Sequence, residues 1–444
     1  MGSRDCLCGW LTRSRKEEVV ATLKEKLAEK IPAWRERAGK LVNKHGDRAI
    51  SGVTIQQAYG GMRGVKGLVC DTSLVDPQKG LIIRGIPLKD LVHKMPEEIF
   101  YLLCTGELPD KAGLKSLQDE MSAKAKVPGY VFKVLDAMPE DSHPMVLLDT
   151  GILCMERESV FKKKYDEGVA KGEYWESTLD DSITLMARLP AVAAYVYRRR
   201  FKKGGPIDPD PKLDWGANYA HMLGVSDDPE FANFMRLYLV LHCDHEGGNV
   251  SAFTCRTVNS ALSDLYYALS AGLNGLAGPL HGLANQECLG FVLGILEKHG
   301  NKVPSDDQLK KFVWDTLNSG RVIPGYGHAV LRATDPRFSA FLDFGKRVCP
   351  EDPAFKVVER LFTLVPDILM EHGKAKNPWP NVDAGSGSLL YHFGMKEFPY
   401  YTVPFGVSRA MGLCSQAVEA RAMMTPITRP KSVVTDWIEK EVGM

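Results

Sequence analysis

The stretch SDDQLKKFVWDTLNSG, Ser305 to Gly320, reads as a capped helix from end to end. Ser305 followed three residues later by Gln308 forms a capping box, in which each side chain can satisfy the other's free backbone N–H. Leu309, Phe312, Val313 and Leu317 then recur at helical spacing, and Gly320 supplies the stop. The same grammar repeats outward along the chain. Asp228-Pro229-Glu230 gives cap, first-turn proline and first-turn acid to a helix through Phe231, Met235 and Leu239. Val19, Leu23, Leu27 and Ile31 fall on one stripe of an opening helix, and Leu283 to His299 forms another with Leu289, Val292, Leu293 and Leu296 inward. Strand signals are few: Leu68-Val69-Cys70 and Leu81-Ile82-Ile83 flank the turn sequence Asp76 to Gly80 and predict one small β-hairpin. Strands do not alternate with helices, which disfavours a parallel α/β sheet, so the class is mainly α. Ala261 to Gly282 is rich in Ala, Gly and Ser, which suits close helix packing within one subunit or between two.

The chain of 444 residues exceeds what one compact core usually holds, so two domains are expected. It is 44% hydrophobic and 25% charged, as ordinary globular proteins are. Lys plus Arg (56) nearly cancels Asp plus Glu (55), so bulk charge draws it to neither nucleic acid nor anionic membrane. An anionic ligand must therefore be held by locally placed basic residues. The ten cysteines include no CxxC pair, which fits free thiols in a reducing compartment. The longest uncharged run, Leu265 to Leu280, is broken by Gly and Pro and is too short for a membrane span. Residues 1–15 carry Arg4, Arg13 and Arg15 among Leu7, Trp10 and Leu11, and fit a plain terminal extension as well as a targeting segment.

Three stretches place one titratable side chain among Gly and Pro, where sharp turns can present it to a ligand: Gly278 to Gly282 around His281, Pro324 to His328, and Pro380 to Ala384 around Asp383. Two imidazoles and a carboxylate suffice to take a proton from carbon and place one on oxygen. His242-Cys243-Asp244-His245-Glu246-Gly247-Gly248-Asn249 is the densest polar cluster. Its order is neither HExxH nor HxxEH, and Gly247-Gly248 should end the helix where metal ligands would need rigidity. His at i and i+3 followed by Glu leaves a metallohydrolase as an alternative, which stoichiometric zinc would reveal. A helix terminus presenting His245 to an anion fits better, and no metal is expected. Arg337, Arg409 and Arg429 stand near these stretches, and guanidinium groups clamp carboxylates with paired hydrogen bonds. Lys374-Ala375-Lys376 is either a solvated charge run or a grip for phosphates. No GxxxxGK[ST] and no strand-borne GxGxxG is found, so neither a P-loop nor a Rossmann site is supported.

Taken together, HCDHEGGNVSA (242–252), GLAGPLHGLANQE (275–287), PGYGHAVLR (324–332) and GKAKNPWPNVDA (373–384) resemble citrate synthases of the eukaryotic mitochondrial type, in family order and near family spacing. The resemblance runs from about Lys16 to the end. It implies a homodimer of mainly α subunits, with a large helical domain (16–281 and 389–444), a small domain (282–388) and the active site between them. It also implies roles. His281 would hydrogen-bond the acetyl-CoA carbonyl, Asp383 would take a methyl proton, and His328 would protonate the oxaloacetate carbonyl. His245, Arg337 and Arg409 would bind oxaloacetate, and Arg429 would reach the partner subunit's site. Arg63, the loop with Val322, Gly325 and Gly327, and Lys374, Ala375 and Lys376 match coenzyme A contacts. Coenzyme A enters as a thioester co-substrate, with no tightly bound cofactor. The mitochondrial matrix is the expected compartment, the cytoplasm the alternative. Two rivals remain: 2-methylcitrate synthase, whose propionyl-CoA differs by one methylene, and a non-catalytic protein on the same fold.

Overall fold

The computed structural model describes residues 21–328, 330–375 and 377–444. The terminal segment 1–15, Val19 and Lys376 lie outside the described residues. The architecture is mainly α, with one small antiparallel sheet among the described residues. The helix Thr402–Ala422 runs through the centre, buried nearly all round, and packs along the long helix Tyr174–Arg200. Such a helix needs apolar or small residues on every face, and Val403, Gly406, Val407, Ala410 and Leu413 supply them. Against it lie Val250–Ser260 and Leu265–Leu276. These two approach closely because a methyl on Gly272 would lie 2.9 Å from the Ser251 carbonyl oxygen and 3.0 Å from Cys255 Cβ. Gly272 therefore serves packing within the subunit.

Helices Ala284–Lys298, Asp306–Asn318, Pro336–Val348, Pro353–His372 and Asp383–His392 pack chiefly on one another, forming a second cluster. The local caps are as the sequence predicts. Ser305 and Gln308 form the capping box, and Asp228 caps Pro229–His242 by accepting from Glu230 N–H at 2.9 Å. Leu23, Leu27 and Ile31 are buried along Leu23–His45.

Two expectations need correction. The sheet has three strands, β1 (Ser73–Asp76), β2 (Gly80–Ile83) and β3 (Ile86–Pro87), and Leu68-Val69-Cys70 is not one of them. The cause is the turn: Asp76 Oδ1 accepts from the N–H groups of Gln78 (2.9 Å) and Lys79 (2.8 Å). That places Asp76 opposite Gly80 and Ser73 opposite Ile83, leaving Val69 exposed before the sheet begins. Second, the helix before His245 ends at His242, ahead of Gly247-Gly248. Among the described residues no helix is long and apolar enough to cross a membrane, and the eight cysteines there are unpaired.

Candidate active site

Four polypeptide turns supply the site. The first follows the helix Pro229–His242. His242 Nδ1 lies 3.0 Å from the Tyr238 carbonyl and its ring stacks on Tyr238, and burial lowers its pKa to about 3. It is a core residue. Asp244 points inward and accepts from Thr72 Oγ1 (2.7 Å), Ser73 Oγ (2.8 Å) and Gln416 Nε2 (2.8 Å). His245 therefore emerges between two anchored neighbours, and Glu246 follows in a left-handed conformation, φ 54°. Burial, reinforced by Arg337 and Arg409, holds the His245 imidazole well below its ordinary pKa. Among the described residues no group of His, Cys, Asp and Glu side chains is arranged to hold a metal.

His281 lies in the turn between Leu265–Leu276 and Ala284–Lys298. Its Nε2 is 3.0 Å from Ser251 Oγ, and its ring meets the Phe405 ring edge-on at 6.1 Å. Burial, with Arg409 nearby, lowers its pKa to about 4, so the imidazole is neutral at physiological pH. Ser251 Oγ also lies 2.7 Å from Asn249 Oδ1, so its one proton has two acceptors to choose between. Donated to Nε2, that proton leaves Nδ1 as the protonated nitrogen.

His328 is held differently. Its Nδ1 accepts from the backbone N–H groups of Val330 and Leu331, each at 3.0 Å, so Nε2 carries the ring proton. Burial, with Arg337 close by, sets its pKa at about 4. The His328 and His245 rings are 5.6 Å apart.

Asp383 opens the helix Asp383–His392, where the N-terminal dipole favours an anion. Burial nevertheless raises its carboxyl to about 6, against the opposing pull of Arg337. Its loop is laced to that of His328. Gly327 N–H donates to Trp379 O (3.0 Å), Asn381 N–H to Gly325 O (2.9 Å), and Asn381 Nδ2 to Gly327 O (2.9 Å). Gly325 is left-handed (φ 78°), and a methyl there would meet Cys288 Sγ and Ala384 Cβ at 2.8 Å. Only glycine allows the two loops to close so tightly.

Arg337 and Arg409 are nearly inaccessible, at 4% and 2% exposure. Arg337 sits in the first turn of Pro336–Val348, where the helix dipole disfavours a cation. Asp335 offsets this, taking Nε at 3.0 Å and Nη2 at 2.6 Å while also capping the helix. Burial alone would raise the Asp335 carboxyl, yet the Arg337 guanidinium holds it below its ordinary value. Arg409 donates from Nε to the His242 carbonyl (3.0 Å) and from Nη1 to Asn249 Oδ1 and Ser251 Oγ (3.4 Å each). Burial lowers it to about 10, still protonated at neutral pH.

Thus His245, His281, His328, Asp383, Arg337 and Arg409 form one connected set. Gly325 and Gly327 lie on the loop beneath it, with Val322 exposed at its start and Lys374 and Ala375 exposed on the segment leading to Trp379. Arg63 and Arg429 are exposed, and among the described residues neither is hydrogen-bonded or ion-paired to a site residue of its own chain. Asp335, Asn249, Ser251 and Asn381 had no role in the sequence reading. Asp335 could have been found as an Asp-Pro helix cap one residue from Pro336; the other three act through contacts that no local pattern announces.

A mainly helical protein with buried arginines, neutral imidazoles and a raised carboxylate is built to bind an anion and to move a proton beside it. Residues 61–431 match the family model described as citrate synthase, C-terminal domain. The chain is 49% identical over 427 residues to the mitochondrial citrate synthase of Daucus carota, covering 94% of this chain and 90% of that protein. It is 48% identical over 427 residues to the mitochondrial citrate synthase 4 of Arabidopsis thaliana, with the same coverage. The crystal structure of citrate synthase from Pyrobaculum aerophilum superposes with a TM-score of 0.76 at 28% identity, covering 85% of this chain and 92% of that one. The chain belongs to the citrate synthase family. The mitochondrial assignment agrees with the plant relatives.

Proposed function

We propose that the protein condenses acetyl-CoA with oxaloacetate and water to give citrate and coenzyme A, with His281, His328 and Asp383 as its catalytic residues. The observation that carries these roles is the pairing of a carboxylate raised to about 6 with two imidazoles lowered to about 4 in one arginine-lined site. A thioester methyl is a weak carbon acid, so the base must be stronger than an ordinary carboxylate and still ionised at neutral pH; Asp383 meets both needs. The developing enolate oxygen needs a donor already in place, and a neutral His281 donates from Nδ1 once Ser251 turns its hydroxyl to Nε2. The enolate carbon then attacks the ketone carbon of oxaloacetate. His328 Nε2–H donates to that ketone oxygen, and its fixed tautomer keeps the proton on that nitrogen. Water then hydrolyses the thioester of citryl-CoA and releases coenzyme A.

Arg337, Arg409 and His245 would hold the oxaloacetate carboxylates, with Arg429 added from a partner subunit in a homodimer. Arg63, the Val322 to Gly327 loop and the Lys374 to Lys376 run would contact coenzyme A, which comes and goes as co-substrate with no tightly bound cofactor. The two helical clusters would act as large and small domains (16–281 with 389–444, and 282–388) that close over the substrates and keep water from the thioester before condensation. The test is a citrate-forming assay of His281→Ala, His328→Ala and Asp383→Ala. Each should lose turnover by at least about a hundredfold while keeping its helical circular dichroism. Retention of near wild-type turnover by any one removes that residue from its role.

A further inference from the structure

The small sheet touches both sides of the site. At one end, Ser73 of β1 donates its hydroxyl to Asp244 (2.8 Å) and accepts the N–H of Glu246 (2.7 Å), so it holds both neighbours of His245. Thr72 adds a second hydroxyl to the same carboxylate at 2.7 Å. Thr72, Ser73 and Asp244 are all buried. At the other end, the β1–β2 turn meets the segment that carries His328 and Arg337. The Pro77 carbonyl accepts the N–H of Arg332 at 2.7 Å. Gly80, left-handed at φ 78°, lies directly against the Pro336 ring, where a methyl would fall 2.5 Å from Cδ and 2.6 Å from Cγ. The turn Leu88–Asp90, just after β3, packs on the same helix Pro336–Val348.

We propose that this sheet is a strap that sets the spacing between His245 and Arg337, with Ser73 and Gly80 as its positioning residues. Neither would touch substrate. Ser73 acts through the backbone on either side of His245, and Gly80 acts through Pro336, the residue before Arg337. The chain from Ser73 to Gly80 is a hydrogen-bonded hairpin with Asp76 fixing its turn, so a shift at one end is transmitted to the other. The inference rests on the reading of His245 and Arg337 as oxaloacetate ligands, and predicts a defect confined to that substrate.

The experiment is steady-state kinetics on the full-length protein, with oxaloacetate and acetyl-CoA varied separately. Ser73→Ala and Gly80→Ala should each raise the oxaloacetate KM about tenfold and leave the acetyl-CoA KM within about twofold. Ser73→Thr keeps the hydroxyl and should stay near wild type. Gly80→Asn tolerates the left-handed backbone but carries a Cβ, so it should fail like Gly80→Ala. Adding Pro336→Ala, which removes the ring atoms that the new methyl would strike, should return the Gly80→Ala oxaloacetate KM most of the way. Equal movement of both KM values, or no rescue by Pro336→Ala and Ser73→Thr, overturns the strap. Arg337→Lys is the reference: if it leaves oxaloacetate KM unchanged, the ligand reading itself has failed. If Arg337→Lys raises that KM and the Ser73 and Gly80 variants do not, only the strap has failed.

Discussion

Replacing Asp383 with asparagine should abolish turnover and yet make the folded protein harder to melt. Burial lifts the carboxyl from its ordinary 3.8 to about 6. Each pKa unit corresponds to about 1.4 kcal/mol, so holding the ionised form in the folded site costs up to about 3 kcal/mol. Asp383 keeps some contact with solvent, which brings the expected cost to about 1–3 kcal/mol. For a chain of this length the unfolding entropy converts that to a rise of about 1–3 °C in Tm. Its pH dependence has a definite sign. Between about 6 and 4 the folded carboxyl holds a proton that the unfolded one has lost, so wild-type stability improves as pH falls through 6. Asparagine has no proton to gain, and the gap should close by about pH 4. Calorimetry of both proteins at matched concentration, at about pH 7.5 and about pH 4.5, reads this directly. The same group predicts that kcat/KM falls with unit slope below about pH 6, since His281 and His328 are already neutral there. A variant that melts lower at about pH 7.5, a gap that does not narrow with acid, or an acid limb near pH 4 would refute the buried-base account.

Ser251→Ala should lower kcat by about tenfold to a hundredfold with a smaller change in oxaloacetate KM, because it frees His281 Nε2; an unchanged kcat means that Ser251 does not set the tautomer. Asp335→Ala leaves the Arg337 guanidinium buried without its carboxylate, which should cost about 3–5 kcal/mol of stability and weaken oxaloacetate binding. Chemical denaturation and calorimetric titration check the two effects, and a loss below about 1 kcal/mol contradicts the pairing. Arg429→Ala and Asp383→Ala should each be nearly inactive alone and regain activity when mixed and allowed to exchange subunits. One heterodimer site then combines an intact Asp383 with the partner's intact Arg429. Demonstrated exchange without recovery would place Arg429 outside any shared site.

The caps and apolar stripes were readable because they are local: Ser305 finds Gln308 three residues on, and Asp228 finds Glu230 two residues on. The hairpin was misplaced because Leu68-Val69-Cys70 has the apolar content of a strand. Its register, however, is set by one side chain, Asp76, capturing two amides. His281, His328 and Asp383 could be picked out as titratable groups among Gly and Pro, while their tuning could not. His328's tautomer depends on Val330 and Leu331 folding back over Nδ1, and His281's on Ser251, thirty positions away. The anchor of His245 joins Asp244 to Ser73 across 171 positions, a pairing that no periodicity encodes. Arg63, singled out by resemblance, and Arg429, picked out as a bare arginine near the key stretches, stand apart from the site of their own chain. Arg337 and Arg409, picked out in the same way as Arg429, prove to be buried within it.

The central claim is that coenzyme A is released only after a carbon–carbon bond has formed. Free thiol from acetyl-CoA, followed with and without oxaloacetate and with propionyl-CoA as the competing thioester, tests this most directly. The account predicts release in step with citrate when acetyl-CoA and oxaloacetate are both present, and none from acetyl-CoA alone. Thiol release at the same rate without oxaloacetate would make the protein a thioesterase, and release only with propionyl-CoA would assign the site to the longer acyl chain; either result contradicts the account.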